Sequence, residues 1–194
     1  MDGRHARRER GQRAVIDAVF ELIQEGDLSP SVEAVGARAG VSVATIFRNY
    51  GSLDELGRQL MLRFRERFGS LFLIPELGEG ALDQRIGRYC DARLDLYEAI
   101  WPFVRFMTMR APRQPEAAAN LDRLRDVLGN QVRRHFKAEL SVCGQAESQD
   151  LATVIDALTA PESWSLMQVN GSRSRRQIKR AWTSALSSLL GDQA

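Results

Sequence analysis

The chain has 194 residues, a formal net charge of +2, and 44% hydrophobic and 27% charged residues, a globular composition at a size that buries its own core without staples. Its apolar runs fall well short of the roughly 20 residues a bilayer span needs, and Asp17 and Glu21 interrupt "AVIDAVFELI", so no membrane span or secretion signal is expected and the cytoplasm is the expected compartment. Cys90 and Cys143 lie far apart and His5 and His135 are the only histidines, so neither a disulfide framework, a metal site nor a cofactor is expected.

Apolar residues recur at three- and four-residue spacing, as in Val15, Ile16, Val19, Phe20 and Ile23, and nothing alternates long enough for a strand. The chain therefore reads as all-α. Helices are predicted over about 9–25, 31–39, 42–48, 52–70, 81–98, 101–110, 115–138, 146–169 and 173–190, about nine in all. Two very short helices give way to long ones near residue 50, which divides the chain into an N-terminal module, 1–50, and a larger helical body, 51–194.

At the start, Arg4, Arg7, Arg8, Arg10 and Arg13 stand against only Asp2 and Glu9. Such an arm either tracks phosphates and enters a minor groove or is simply a solvated terminus. Bulk charge does not decide, because residues 1–50 hold seven basic and seven acidic side chains.

The stretch "VGARAGVSVATIFRNYGSLDELGRQL" is more specific. Ser31 stands where an N-cap would satisfy the free amides of a short helix, and Gly40 where the chain turns sharply at its end. Ser42 caps a second short helix, and "SLDE" from Ser52 reads as a capping box opening a third. Two short helices joined by a tight glycine turn make either a plain helical corner or a helix-turn-helix. In the second reading Val35, Ala39, Val41 and Ile46 form the small core, while Ser42, Val43, Ala44, Thr45, Phe47, Arg48, Asn49 and Tyr50 face DNA. Thr45 offers a hydroxyl and a methyl, Val43 and Ala44 suit thymine methyls, and Arg48 and Asn49 reach phosphates or bases.

This stretch resembles the DNA-binding region of the TetR family of bacterial transcriptional regulators. Ser31, Val35, Ala39, Gly40, Val41, Ser42, Thr45, Ile46, Phe47, Tyr50, Ser52 and Leu56 stand in register with the family pattern. Phe47 replaces the usual tyrosine, while Tyr50 takes the usual phenylalanine place, and Leu53 replaces a lysine. The resemblance implies an N-terminal three-helix reading head, a larger ligand-binding and dimerisation domain, and a repressor that binds a near-palindromic double-stranded operator as a homodimer.

The resemblance also implies a ligand cavity within helices five to seven. "RYCDARLDLYEAIWPFVRFMTM" supplies Tyr89, Tyr97, Trp101, Phe103, Phe106 and Met107, which are either ordinary core or the lining for a small apolar or aromatic ligand. Pro102 is expected to mark a break between two helices. Dimerisation is implied through the last two helices, where Leu151, Val154, Ile155, Leu158, Trp164, Trp182, Leu186 and Leu189 either close the monomer core or form a dimeric four-helix bundle.

An enzyme is not expected, because no GxSxG, Walker loop, HExxH or CxxC is present and "GEGALD" is an incomplete glycine fingerprint. Asp91 and Asp95 share a helix face with Arg88 and read as surface ion pairs. The alternative class is a helical ligand- or protein-binding dimer that keeps the fold without reading DNA.

Overall fold

A computed structural model describes residues 3–191, with side chains from Glu9 onward. All its regular structure is helical, as expected, and follows the plan of about nine helices once the single turn α7 is set aside. The helices are α1 (Gly3–Gln24), α2 (Val32–Ala39), α3 (Val43–Tyr50), α4 (Leu53–Phe68), α5 (Leu82–Arg110), α6 (Pro115–His135), α7 (Lys137–Leu140), α8 (Gln145–Leu158), α9 (Pro161–Ser165) and α10 (Arg175–Gly191). A 3-10 turn follows α4 at Gly69–Phe72, and a π turn, Leu166–Asn170, continues α9.

Two compact units divide the chain. Unit 1 runs to Gly69 and includes Pro102–Pro115, and unit 2 comprises Ser70–Trp101 and the chain from Glu116 onward. The units therefore do not divide at residue 50. α4 belongs with the short helices before it, because Leu60 and Phe68 are buried along with Val15, Val19, Phe20 and Ile23 of α1. Phe103 completes this core: its ring lies 4.7 Å from Phe20, 5.5 Å from Phe64 and 5.4 Å from Phe68. Each such pair adds about 0.5–1.5 kcal/mol beyond the area it buries.

In unit 2, the first part of α5 buries Ile86, Tyr89, Leu94 and Tyr97. Leu128, Val132 and Phe136 come from the α6 side, Ile155 from α8, Trp164 from α9, and Ile178, Trp182, Leu186 and Leu190 from α10. Arg175 bonds Asp95 and Glu98, and Lys179 bonds Asp91, each at 2.7 Å. Two basic residues in the first turns of α10 thus clamp that helix to α5. Arg88 is not the partner of Asp91 and Asp95; it pairs with Glu76 and donates to the Glu79 carbonyl.

Three helix expectations are corrected. α5 is one helix of 29 residues with Pro102 inside it, where two helices were expected. Proline removes one backbone bond, the one toward Glu98, and the buried Ile100, Phe103 and Val104 on either side hold the helix through that loss. Conversely, the helix expected over 146–169 breaks after Leu158, because Ala160 ahead of Pro161 is extended (φ −68°, ψ 157°). Finally, α1 begins at Gly3, so the backbone of the expected basic arm is helical, in keeping with the helix propensity of its arginines and alanine.

The loop entering α5 is held by buried polar groups of unit 2. The Gly78 amide donates to His135 Nδ1 at 3.1 Å, and His135 Nε2 lies 2.9 Å from the Arg85 carbonyl, so the ring is neutral with its proton on Nε2. Arg85, itself buried, donates to the Gly80 and His135 carbonyls and to Glu139 Oε2 at 2.8 Å. The hydrogen bond from Arg85 raises its own pKa and lowers that of Glu139. Burial pushes His135 below the usual imidazole value, with Arg85, Arg88 and Arg93 adding to the effect.

Because the folded pKa of His135 is depressed, its contribution to stability is complete above the unfolded value of about 6.5 and is lost as pH falls toward the folded value. Urea unfolding of a His135→Gln variant should show a weaker fall in stability between pH 7 and 5 than the parent, and parallel profiles would show that His135 does not titrate on unfolding. Glu139→Ala, which leaves Arg85 buried without its carboxylate, should cost about 3 kcal/mol in the same assay at pH 7.

Candidate nucleic-acid interface

α2 and α3 are eight residues each, too short to persist without caps and packing. Ser31 Oγ accepts the Ala34 amide at 3.1 Å and Ser42 Oγ accepts the Thr45 amide at 3.2 Å. Gly40, at φ 67°, turns the chain between them in the left-handed region that glycine tolerates. The Val41 amide then donates to the Gly36 carbonyl at 2.9 Å. Val35 and Ile46 are buried as expected, whereas Ala39 and Val41 are half-buried. Ser52 caps α4 through the Glu55 amide, but Glu55 does not reach back; its carboxylate binds Arg58 and Gln59, so only half of the expected capping box forms.

α3 is fastened to α1 by a reciprocal clasp. Tyr50 donates its hydroxyl to the Gln12 carbonyl at 2.6 Å, and Gln12 Nε2 donates to the Asn49 carbonyl at 3.1 Å. Tyr50 is 7% exposed, and burial together with the Asp17 charge pushes its hydroxyl pKa up to about 12. The expectation that Tyr50 faces DNA is thereby corrected: its hydroxyl is committed inside unit 1. Asn49 is half-buried, with its side chain against Gly11 of α1. Gln12 was missed by the sequence reading, because its role depends on a helix 38 residues away.

The opposite side of α3 is open. Ser42, Ala44, Phe47 and Arg48 are exposed and Val43 and Thr45 are half-buried. Thr45 Oγ1 lies 3.0 Å from Ser42 Oγ and accepts from Arg48 Nη2 at 3.2 Å, so a hydroxyl, hydroxyl and guanidinium line the helix from its N-terminus. Phe47 is 43% exposed and Leu53 55%. Arg10 is exposed on α1, while the side chains of Arg7 and Arg8 lie outside the described residues.

A groove of about 750 Å³ within unit 1 carries Glu9, Asp17, Glu55 and Glu66 against Arg13 and Arg63. That balance repels a phosphate backbone.

The candidate ligand residues are divided between the two units. Phe103 sits in the aromatic core of unit 1, and Phe106, also of unit 1, is buried with Arg110 over its ring at 4.3 Å. Met107 is half-buried in the same unit. Tyr89, Tyr97 and Trp101 belong to unit 2. Tyr89 and Tyr97 are buried, and they hydrogen-bond the Thr159 hydroxyl and carbonyl respectively, each at 2.7 Å. Trp101 is half-buried, its ring 5.6 Å from that of Trp164.

Of the candidate dimer residues, Ile155, Trp164, Trp182 and Leu186 are buried within the single chain, which corrects their assignment to a subunit surface. Leu151, Leu158 and Leu189 are half-buried and Val154 is 49% exposed. Leu166 and Val169 on the π turn are each 61% exposed and went unremarked in the sequence.

The fold is similar to that of a TetR-family transcriptional regulator from Streptomyces coelicolor, with a TM-score of 0.72 and 17% identical residues over 96% of this chain and 82% of that one. It is also similar to a transcriptional regulator from Rhodococcus sp. Rha1, with a TM-score of 0.63 and 19% identity over 95% of this chain and 96% of that one. At these identities the likeness establishes a shared fold. No protein-family model and no curated protein matches the sequence.

Tyr50→Phe and Ser42→Ala should each cost unit 1 about 1 kcal/mol, read as faster hydrogen exchange of the α3 amides. Unchanged protection in Tyr50→Phe, coupled with weaker duplex binding, would return the hydroxyl to the DNA surface.

Proposed function

We propose that the chain is a ligand-responsive DNA-binding transcription regulator of the TetR type. In this reading it represses by binding a near-palindromic operator as a cytoplasmic homodimer and leaves it when a small molecule binds. The observation that carries the reading is α3: a helix capped at both ends and clasped to α1 on one side, which holds Ser42, Thr45 and Arg48 in a polar line on its open side. That is the form a recognition helix needs to place its N-terminal residues against base edges. The basic first turns of α1 add affinity rather than sequence reading. Exposed Val154, Leu166 and Val169 and half-buried Leu151, Leu158 and Leu189 are apolar side chains that pairing through the C-terminal helices would cover. A two-fold pair would read half-sites about 34–36 Å apart. Among the described residues no helix is long and apolar enough to cross a membrane, and no cluster of metal-ligating side chains is present.

Phe47 and Leu53 set the rival reading, a dimer that keeps this fold without reading DNA. Both side chains are exposed and apolar where the resemblance places a hydroxyl and an ammonium for phosphates.

Selection of bound fragments from a random duplex library should return a near-palindrome bound at least about a hundredfold more tightly than its shuffle. Thr45→Ala and Arg48→Ala should each weaken that complex about tenfold while helicity and dimerisation hold. Removal of residues 1–9 should weaken binding and flatten its salt dependence. No enrichment by an intact helical dimer would favour the rival.

A further inference from the structure

Five buried side-chain polar atoms of the described residues have no hydrogen-bond partner, and all five are N–H donors. Three of them belong to buried residues of unit 2: Arg93 Nε, Trp164 Nε1 and Trp182 Nε1. Arg93 is 1% exposed, Trp164 2% and Trp182 1%.

Their setting is built by one face of α5. Tyr89, Arg93, Tyr97 and Trp101 follow at four-residue spacing and so stand in a row along the helix. The Arg93 guanidinium lies 4.7 Å from the centre of the Tyr89 ring. The Tyr97 ring lies 6.3 Å from that of Trp164 and 6.4 Å from that of Trp182.

Arg93 is the anomaly in this row. Its Nη groups bond Gln131 Oε1 at 2.5 Å and the Leu128 carbonyl at 2.9 Å, both neutral acceptors. Asp156 acts on it through its field alone, without forming an ion pair. Although burial works against the charge, Tyr89, Tyr97 and Asp156 hold its pKa up, yet no carboxylate bonds it directly, and an anion in hydrogen-bond reach would add that partner. The aromatic rings alongside define the body such an anion should carry. Trp164 rides on a short segment bounded by the Thr159–Pro161 break and ending in a π turn, an irregularity often found at functional sites.

We propose that the core of unit 2 binds a small aromatic or acyl carboxylate, its anion on Arg93 and its apolar body among Tyr97, Trp101, Trp164 and Trp182. The indole N–H groups supply further donors to the oxygen-bearing ligand. This deepens the ligand-responsive reading above and rests on it: the ligand is an organic acid, not a purely apolar molecule.

The chain has three tryptophans, and all three belong to this cluster, so intrinsic fluorescence reports the site directly. The probes are phenylacetate, indole-3-acetate and octanoate, each titrated against its primary amide, with thermal unfolding as the second readout. At least one acid should bind, about tenfold or more tightly than its amide. Arg93→Gln should abolish that preference, and Trp182→Phe should weaken binding several-fold while keeping it. If Arg93→Gln fails to fold, Arg93→Lys retains the charge without the fork and should bind the acid more weakly with the preference intact. Equal affinity for acid and amide, or binding by none of the acids, overturns the proposal. So does a crystal structure with ordered waters on all three N–H groups that persist in the presence of the acids. The selected duplex is titrated in parallel: acid binding that leaves duplex affinity unchanged keeps this site and removes ligand-triggered release.

Discussion

An eight-residue helix has most of its backbone amides and carbonyls at one end or the other, so α2 and α3 exist only where those end groups find partners. Ser31, Ser42 and Ser52 supply acceptors at three successive N-termini. Gly40 and Gly51, at φ 67° and 74°, let the chain close the two C-termini. Everything proposed for the reading head depends on this local closure. A recognition surface needs rigid placement of a few side chains, and a frayed helix would spread Thr45 and Arg48 over many positions. The caps fix the helix along its own axis, and the Gln12–Asn49–Tyr50 clasp fixes its rotation against α1. Only with both constraints does one side of α3 stay open while the other is committed.

These caps were also the most legible part of the sequence, because capping is local chemistry: a hydroxyl three residues ahead of an amide, or a glycine where φ must be positive. Tyr50 shows where legibility stopped. Its register marked it as part of the recognition helix, but its direction depended on Gln12, and no local rule connects the two. Glu55 shows the same limit at shorter range. A capping box was readable in "SLDE", yet the carboxylate had Arg58 and Gln59 within its own helix, and those competing donors won.

Two prolines were misread in opposite directions. Pro102 was taken for a break and lies within α5, while Pro161 was passed over and begins α9. The difference lies in what holds the flanking residues. Around Pro102, Ile100, Phe103 and Val104 are all anchored in apolar surroundings, so the helix tolerates one missing bond. Ahead of Pro161, Thr159 is held from outside its own helix by Tyr89 and Tyr97, and the Ser163 hydroxyl satisfies the Ala157 carbonyl that the break exposes. Tertiary anchoring decided both cases, and a proline's place in sequence carries no information about it.

The apolar stripe of the C-terminal two thirds was legible as something buried, but not as what buried it. Ile155, Trp164, Trp182 and Leu186 fit a dimer interface and a monomer core equally well by spacing, and the single chain covers them. The same stripe contained a polar signal overlooked in favour of its aromatic residues: Arg93 sits four residues from both Tyr89 and Tyr97, which on a buried helix face forces a guanidinium into the core. A cation in that position constrains its neighbours more than any ring does, because a ring needs only volume, whereas a guanidinium needs acceptors in defined directions. Gln131 and the Leu128 carbonyl meet two of those directions and leave Nε without a partner. A core evolved only for stability would gain from an apolar side chain of similar volume there. The carboxylate proposed for this core would bring the acceptor that Arg93 Nε lacks.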